Sequence, residues 1–299
     1  MRVSAIVPVF NGEKFIADCL ESLLGQSEKF AEIIVVDDGS SDSTAKICRG
    51  FGVKVLQPGH VGRSRARNLG LKAAKHEIVF FVEADAVYSK NFLAACVRRF
   101  SGKSVGGVIG KLEVRNRNDG AWTGCRAAEL DSRFSDYMPF TAWMYRKSVV
   151  ERLGGFDERL DVGEDVLLGE GVRNAGYKIV YEPKAVWRHL EPSSLRVVLR
   201  KSWERGLGLG QKHVLLWRFP KILLADALFF AFVFLGIVNV FFALAAFAFL
   251  CAQVFVRRKQ FFFIERGLWP HLVVFLALNI AVFKAARLLG TAFYLVKGA

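Results

Sequence analysis

Residues 222–256 hold a single charged residue, Asp226, in 35 positions, and no arrangement of a small water-soluble domain hides so long an apolar run easily. The rest of the chain is built differently. Of the 27 Phe, 16 lie between Phe219 and Phe293, whereas 26 of the 28 acidic residues precede position 220. A polar first part is therefore joined to an apolar tail, with the boundary expected near 215: residues 1–215 as one domain, 216–299 as a membrane-associated helical region. The run exceeds the ~20 residues of one untilted crossing. One long tilted helix is the alternative; preferred is a hairpin turning near 236–239 that makes two short crossings. It puts Arg257-Arg258-Lys259 on the same side as Arg218 and Lys221, as the positive-inside tendency favours. A third apolar stretch, 268–296, carries Lys284 and Arg287 three apart on one helix face, so it is expected either to lie in the membrane interface or to span with that face turned towards protein or lipid phosphate.

The formal net charge is +14. Nucleic acid, an anionic membrane face and phosphorylated ligands all attract such a chain. With no helix-turn-helix, zinc-finger or aromatic RNA-binding signature, nucleic acid is not an expected partner. Beside apolar segments, the membrane reading is the stronger. The five cysteines have no CxxC spacing and no paired framework, which removes zinc ribbons and disulfide scaffolds. Met1-Arg2 runs straight into an apolar stretch without a signal-peptide pattern, so the polar part is expected in the cytoplasm and the whole chain as a multi-pass protein of the cell membrane.

Residues 1–115 alternate short β-branched runs (3–9, 33–36, 53–56, 78–82) with helical spacings (13–24, 41–47, 65–74). That rhythm predicts an α/β fold with a parallel sheet covered on both faces. Ligands of such sheets bind beyond the strand C-terminal ends. Here those ends carry Asn11, Asp37, Asp38, Glu83 and Asp85. An acidic edge on a basic protein is the first pointer to chemistry. Glu83-Ala84-Asp85, directly after a strand, has the spacing to present two carboxylates to one divalent cation that also contacts ligand phosphates, although the same pattern serves as a solvated turn. Arg63, Arg65 and Arg67 open a helix and suit either a basic surface or a pyrophosphate grip. Glu164-Asp165 heads a helix ending before Gly176. There the spacing of Asp165, Leu168 and Val172 turns Asp165 inward, as suits a general base, although a carboxylate at a helix start also serves simply as a cap. His189 reads either as structural or as a metal ligand.

Taken together and in order, these segments resemble the family 2 glycosyltransferases, inverting enzymes on the GT-A (Rossmann-like) nucleotide-sugar fold. Ser4 to Asn11 resembles the family's first strand with its Pro-x-aromatic-Asn end, Val35 to Ser40 with Asp42 its VDDGSxD segment, and Ala66-Arg67-Asn68-x-Gly70 its ARNxG helix. Glu83-Ala84-Asp85 stands at the DxD position, with Glu in place of the first Asp. Gly154 to Glu158, Glu164-Asp165, Ala175 to Tyr177 and Pro183 to His189 follow the acceptor half.

The resemblance implies that Pro8, Phe10, Asn11, Asp38, Arg63, Glu83, Ala84 and Asp85 bind a UDP- or GDP-sugar. It further implies Mg²⁺ or Mn²⁺ on Asp85 with His189, and a catalytic pair of Asp165, as base, and Glu164. The processive QxxRW signature is absent; only Lys201 to Gly206 stands in that region. The apolar tail resembles members that act on membrane-borne acceptors. Expected acceptors are a hydroxyl of a lipid-linked or glycan substrate or, alternatively, a polyprenyl phosphate. A non-catalytic, membrane-anchored nucleotide-binding protein is the reading from another class.

Overall fold

A computed structural model describes residues 1–135, 143–160, 162–192, 194–215, 228–229, 231, 248–249, 251–253 and 269–297. The expected membrane hairpin within 222–256 lies almost wholly outside the described residues. The elements are β1 (Val3–Val9), α1 (Ile16–Leu24), β2 (Glu32–Asp37), α2 (Thr44–Gly50), β3 (Lys54–Leu56), α3 (Arg63–Ala73), β4 (Ile78–Phe81), β5 (Ala86–Tyr88), α4 (Phe92–Arg98), a 3₁₀ turn, β6 (Val105–Val114), α5 (Ala121–Ser135), β7 (Met144–Arg146), α6 (Lys147–Arg152), α7 (Glu164–Asn174), β8 (Lys178–His189), α8 (Leu195–Leu215) and α9 (Trp269–Lys297). They fall into two compact units, one of Met1–Arg115 with Asp136–Leu190 and one of Asn116–Ser135 with Glu191–Ala299. The division by contacts thus falls earlier than the change in composition near 215.

The first unit is an eight-stranded sheet in the order β3-β2-β1-β4-β7-β6-β8-β5. Strands β1 to β4 pair in parallel, as the alternating rhythm predicts. The other half is mixed rather than parallel: β7 runs antiparallel to both β4 and β6, and β5 antiparallel to β8. Strands β5 and β7 are three residues each, too short to leave a periodic signal in sequence. Strand β8 runs on from the expected 178–181 through Pro183 to His189. The ladder with β6 shifts register between Gly110 and Lys111, and the proline sits exposed at that irregularity, where it withholds no needed donor.

Both sheet faces are covered. On one, Ile6, Val36, Val79 and Phe81 pack with Ala66 and Leu71 of α3, Val149 of α6 and Val172 of α7. On the other, Phe80 meets Phe30, Tyr88 and Phe92 with ring centroids 5.2–5.9 Å apart. Glycine at 70 permits the closest of these approaches, because a Cβ there would stand 2.2 Å from Ile6 Cγ2. The terminal glycine of the ARNxG segment therefore has a packing reason: α3 lies directly on β1.

In the second unit α8 packs along α9. A Cβ on Gly206 would stand 2.5 Å from the Phe283 carbonyl oxygen, and the Ser202 hydroxyl bonds Asn279 Oδ1. The Gly206-x-Gly208-x-Gly210 series, which has no dinucleotide-binding context, thus supplies a close helix contact at its first member. Lys284 and Arg287 are 6% and 5% exposed, with their cationic heads 5.4 Å and 5.2 Å from the Phe249 and Phe283 rings. Among the described residues no helix is long and apolar enough to cross a membrane.

Substituting Gly70→Ala should destabilise the chain by about 1–3 kcal/mol, since the added methyl overpacks a full core. A urea-unfolding midpoint followed by tyrosine and tryptophan fluorescence checks it, and an unchanged midpoint would contradict the close α3–β1 contact.

Candidate active site

The chain leaves β1 towards β2 and β3 on one side and returns to β4 on the other, so the sheet order reverses between β1 and β4. Such a switch point opens a crevice at the strand C-terminal ends. Phe10-Asn11, Asp37-Asp38 and Glu83-Ala84-Asp85 all emerge there, because Val9 pairs with Asp37 and Ile6 with Phe81.

The first two segments are stitched together by side chains. Asn11, the only non-glycine among the described residues with positive φ (49°), accepts from the Ser41 amide at 2.9 Å, and its own amide donates to Ser40 Oγ at 2.8 Å. Asp42 accepts from the Thr44 amide at 3.0 Å, ahead of the first turn of α2. Asp37 accepts from the Ser40 amide at 3.0 Å and from Gln57 Nε2 at 3.1 Å. Asp38, 5% exposed, accepts from the Val61 amide at 2.7 Å and the Gly62 amide at 3.1 Å, immediately before α3. Its carboxylate therefore shapes the loop leading to Arg63, with lone pairs still left for a ligand. Phe10 is 49% exposed, and its ring centroid lies 4.7 Å from that of His60, forming an aromatic rim beside Asp38. Pro8 is half-buried in β1, whereas Arg63 is exposed.

Helix α3 ties this rim to the acceptor half of the unit. Ser64, Arg67, Asn68 and Leu71, spaced i, i+3, i+4 and i+7, are all buried. Ser64 Oγ donates to the Leu160 carbonyl at 3.1 Å. Asn68 pairs with both backbone groups of Phe156, each at 2.9 Å, and donates to Glu158 Oε1 at 2.9 Å. Gly155 has φ +82° and no room for a Cβ, which would stand 2.5 Å from Asn68 Oδ1. Arg67 Nη1 lies 2.5 Å from Glu164 Oε1 and Nη2 lies 3.4 Å from Glu83 Oε1. The guanidinium carbon is 5.2 Å and 5.1 Å from the Trp143 and Phe156 ring centroids. Sequence reading saw three arginines at a helix start and left Ser64 and Asn68 unassigned. Their signal was available, as a polar stripe at helical spacing in line with Leu71.

The acidic turn is held from below. The Ala86 amide closes it on the Glu83 carbonyl at 3.1 Å, and the Tyr88 hydroxyl accepts from the Glu83 amide at 3.0 Å. Cys19 Sγ sits 3.7 Å from the Glu83 carbonyl oxygen; burial first, then the Asp85 charge, drive its thiol far above the ordinary range. It is thereby kept as an inert packing group. Asp85 is exposed at the tip and Ala84 is half-buried. Burial pushes the Glu83 carboxyl up from its usual range; Arg67 and Arg63 oppose this, while Asp85 and Asp165 add to it. Burial and the neighbouring Glu164 charge likewise raise Asp165, against Arg67. Glu83, Asp85, Glu164 and Asp165 thus feel one another or share Arg67, forming one acidic cluster with arginine inside it.

On α7 Asp165 falls on the helix face of Leu168, Gly169 and Val172, as its spacing predicts, while Glu164, at one border of that face, is the more deeply buried of the two. Glu164 is 3% exposed and turned onto Arg67; Asp165 is half-buried.

His189 pairs with Ala86 across β5 and β8, one residue from Asp85. Sequence left its distance from the acidic turn open. Among the described residues no three His, Cys, Asp or Glu side chains group as a protein-only metal site. With Asp85 exposed and the His189 backbone across the ladder from Ala86, a carboxylate and an imidazole are available to a divalent cation whose remaining ligands would come from substrate phosphates.

The glycosyl transferase family 2 model matches residues 4–154. The chain belongs to that family. It is 33% identical over 124 residues to Glycosyltransferase GlyG of Streptococcus pneumoniae serotype 4, covering 40% of this chain and 41% of that protein. A 25% match over 234 residues to Glycosyltransferase GlyA of the same bacterium covers 69% of this chain and 33% of that protein. The chain thus spans less than half the length of these two relatives. It is 27% identical over 221 residues to O-antigen chain rhamnosyltransferase WbaN of Salmonella anatum, covering 68% of this chain and 70% of that one. Among solved structures, mannosyltransferase PcManGT from Pyrobaculum calidifontis, in complex with GDP-Man and Mn²⁺, superposes with TM-score 0.64 at 23% identity, over 96% of this chain and 87% of that chain. S. aureus TarS 1-349 in complex with UDP-GlcNAc gives TM-score 0.53 at 19% identity, over 100% and 92%. At these identities the likeness establishes the GT-A-like α/β fold of family 2.

Removing the Asn68 side chain (Asn68→Ala) leaves the Phe156 amide and carbonyl without their partner, at about 1–3 kcal/mol for each buried group. Limited proteolysis should then cut within 154–160 much faster than in the unsubstituted chain. Equal cleavage rates would contradict the anchoring role.

Proposed function

We propose that the protein is a membrane-associated inverting glycosyltransferase that moves a sugar from a UDP- or GDP-sugar to a hydroxyl of a lipid-linked or other membrane-borne acceptor. The observation that carries this reading is the convergence of Asp38, Glu83, Asp85 and Asp165 around the switch point and α3. Family 2 membership and the nucleotide-sugar complexes of its structural neighbours support the donor class.

In this reading Phe10, Pro8 and Asn11 form the nucleobase wall, with Asp38 below it. Arg63, exposed at the start of α3, approaches the diphosphate. Glu83 and Ala84 border the ribose or donor sugar. Asp85 and His189 would hold Mg²⁺ or Mn²⁺, which when bound neutralises charge on the departing nucleoside diphosphate. Asp165 takes the acceptor proton as the acceptor oxygen attacks the anomeric carbon from the face opposite the diphosphate. The C1–O bond to the diphosphate breaks as the new glycosidic bond forms, with inversion. Glu164, ion-paired to Arg67, orients α7 and is not itself the base.

A polyprenyl-phosphate acceptor is already anionic and needs no strong base. Asp165, half-buried at the head of α7 and beside the acidic turn, instead suits proton abstraction from a hydroxyl. Membrane association rests on the apolar composition of 222–256 and implies a multi-pass protein of the cell membrane with its catalytic unit in the cytoplasm.

Asp165→Asn and Asp85→Ala should each lower turnover by about 100-fold or more. Asp165 must be ionised to act, and its pKa lies above the ordinary 3.8, so kcat/KM should fall on acidification with a midpoint above that value. An Asp165→Asn enzyme that keeps most of its activity while Asp85→Ala is inactive would exclude the hydroxyl mechanism and favour the phosphate acceptor. Separately, the full chain should remain with the membrane pellet after an alkaline carbonate wash, and its release into the supernatant would count against integral association.

A further inference from the structure

We propose that Arg67 is a positioning residue and that Glu83 is its length-matched partner, so that one guanidinium sets the separation between the Asp85 turn and the Asp165 helix. This rests on the transferase reading above and goes beyond it in assigning roles to Arg67 and to the glutamate that replaces the first aspartate of the acidic pair.

Geometry carries the argument. Arg67 is 3% exposed at its side chain, and its two terminal nitrogens divide between carboxylates on separate elements. Nη1 holds Glu164, the residue before Asp165, while Nη2 reaches Glu83, two residues before Asp85. The two contacts are unequal: 2.5 Å to the buried Glu164 and 3.4 Å to Glu83, which is one-third exposed. The firm end is fixed and the looser end faces the crevice. Trp143 and Phe156 flank the guanidinium, and its Nε has no hydrogen-bond partner among the described residues. A buried guanidinium with a spare donor and one long contact is held by its surroundings rather than by saturated bonding.

Side-chain length follows from this. The Glu83 contact is already near the limit of a hydrogen bond, and an aspartate, shorter by about 1.5 Å, would lose it. Glutamate at this position therefore supplies reach to the arginine. Lysine at position 67 offers a single charged centre and cannot divide between two carboxylates in a fixed plane.

The test is a set of mutant cycles on the full chain. Turnover is read as nucleoside diphosphate released from UDP- or GDP-sugars with Mn²⁺, and binding by calorimetry with UDP or GDP. Arg67→Lys should lower kcat about tenfold or more, while donor KM and diphosphate Kd move less than about threefold, the split expected when positioning rather than binding is lost. Glu83→Asp should lower kcat as well. The double variant should be no more than about twofold slower than Arg67→Lys alone, because both remove the same link. If Arg67→Lys fails to fold, Glu83→Asp combined with Glu164→Gln serves instead. These two side chains are joined through Arg67, and their effects on kcat should again be non-additive.

Independent, multiplying effects would overturn the proposal, as would a loss confined to KM. A wild-type chain that neither binds UDP or GDP nor releases diphosphate would instead overturn the transferase reading, and this inference with it.

Discussion

Helix α3 lies against β1 and β2, in the parallel half of a mixed sheet and beside the point where strand order reverses, and most of the candidate site is fixed by that contact. Gly70 lets the helix axis approach β1. Its next turn towards the N-terminus places Arg67 and Asn68 on the buried side, where each must find partners or leave polar groups stranded. The partners come from far along the chain: Phe156 and Glu158 for Asn68, Glu164 for Arg67. A single helix thereby fixes the loop and helix that carry Glu164 and Asp165 relative to the strand ends that carry Asp38 and Asp85.

The electrostatics follow from the same packing. Four carboxylates around one crevice would repel one another in a low-dielectric setting. Arg67 lies among them, and Arg63 acts on Glu83 from the helix start. Even so, Glu83 and Asp165 remain raised, because burial outweighs the arginine field at both. Perturbed carboxylates gathered in one crevice are the physical basis of the function proposed for this site.

The pairing of β5 with β8 completes the acidic side of the crevice. The antiparallel register puts His189 next to the acidic turn although a hundred residues separate them in sequence. On the way to that turn the ladder of β8 with β6 shifts register near Pro183 and then continues to His189, opposite Val114.

Much was readable beforehand. The strands at 3–9, 32–37 and 78–81 announce themselves as β-branched runs, and the acids beyond them mark the crevice, because burial on both faces and emergence at one edge follow from local pattern alone. The helix from Glu164 to Asn174, bounded by glycines at 163 and 176 with φ of 85° and 84°, is equally legible. Sequence could not say that Glu164 is buried as well, since the partner that holds it there, Arg67, lies on another element. Nor could it find β5 and β7, which exist only because longer strands offer them a ladder. Local chemistry therefore determined which residues the crevice has available, and tertiary contact decided which of them meet, because an ion pair or a strand register depends on distances that chain order does not contain.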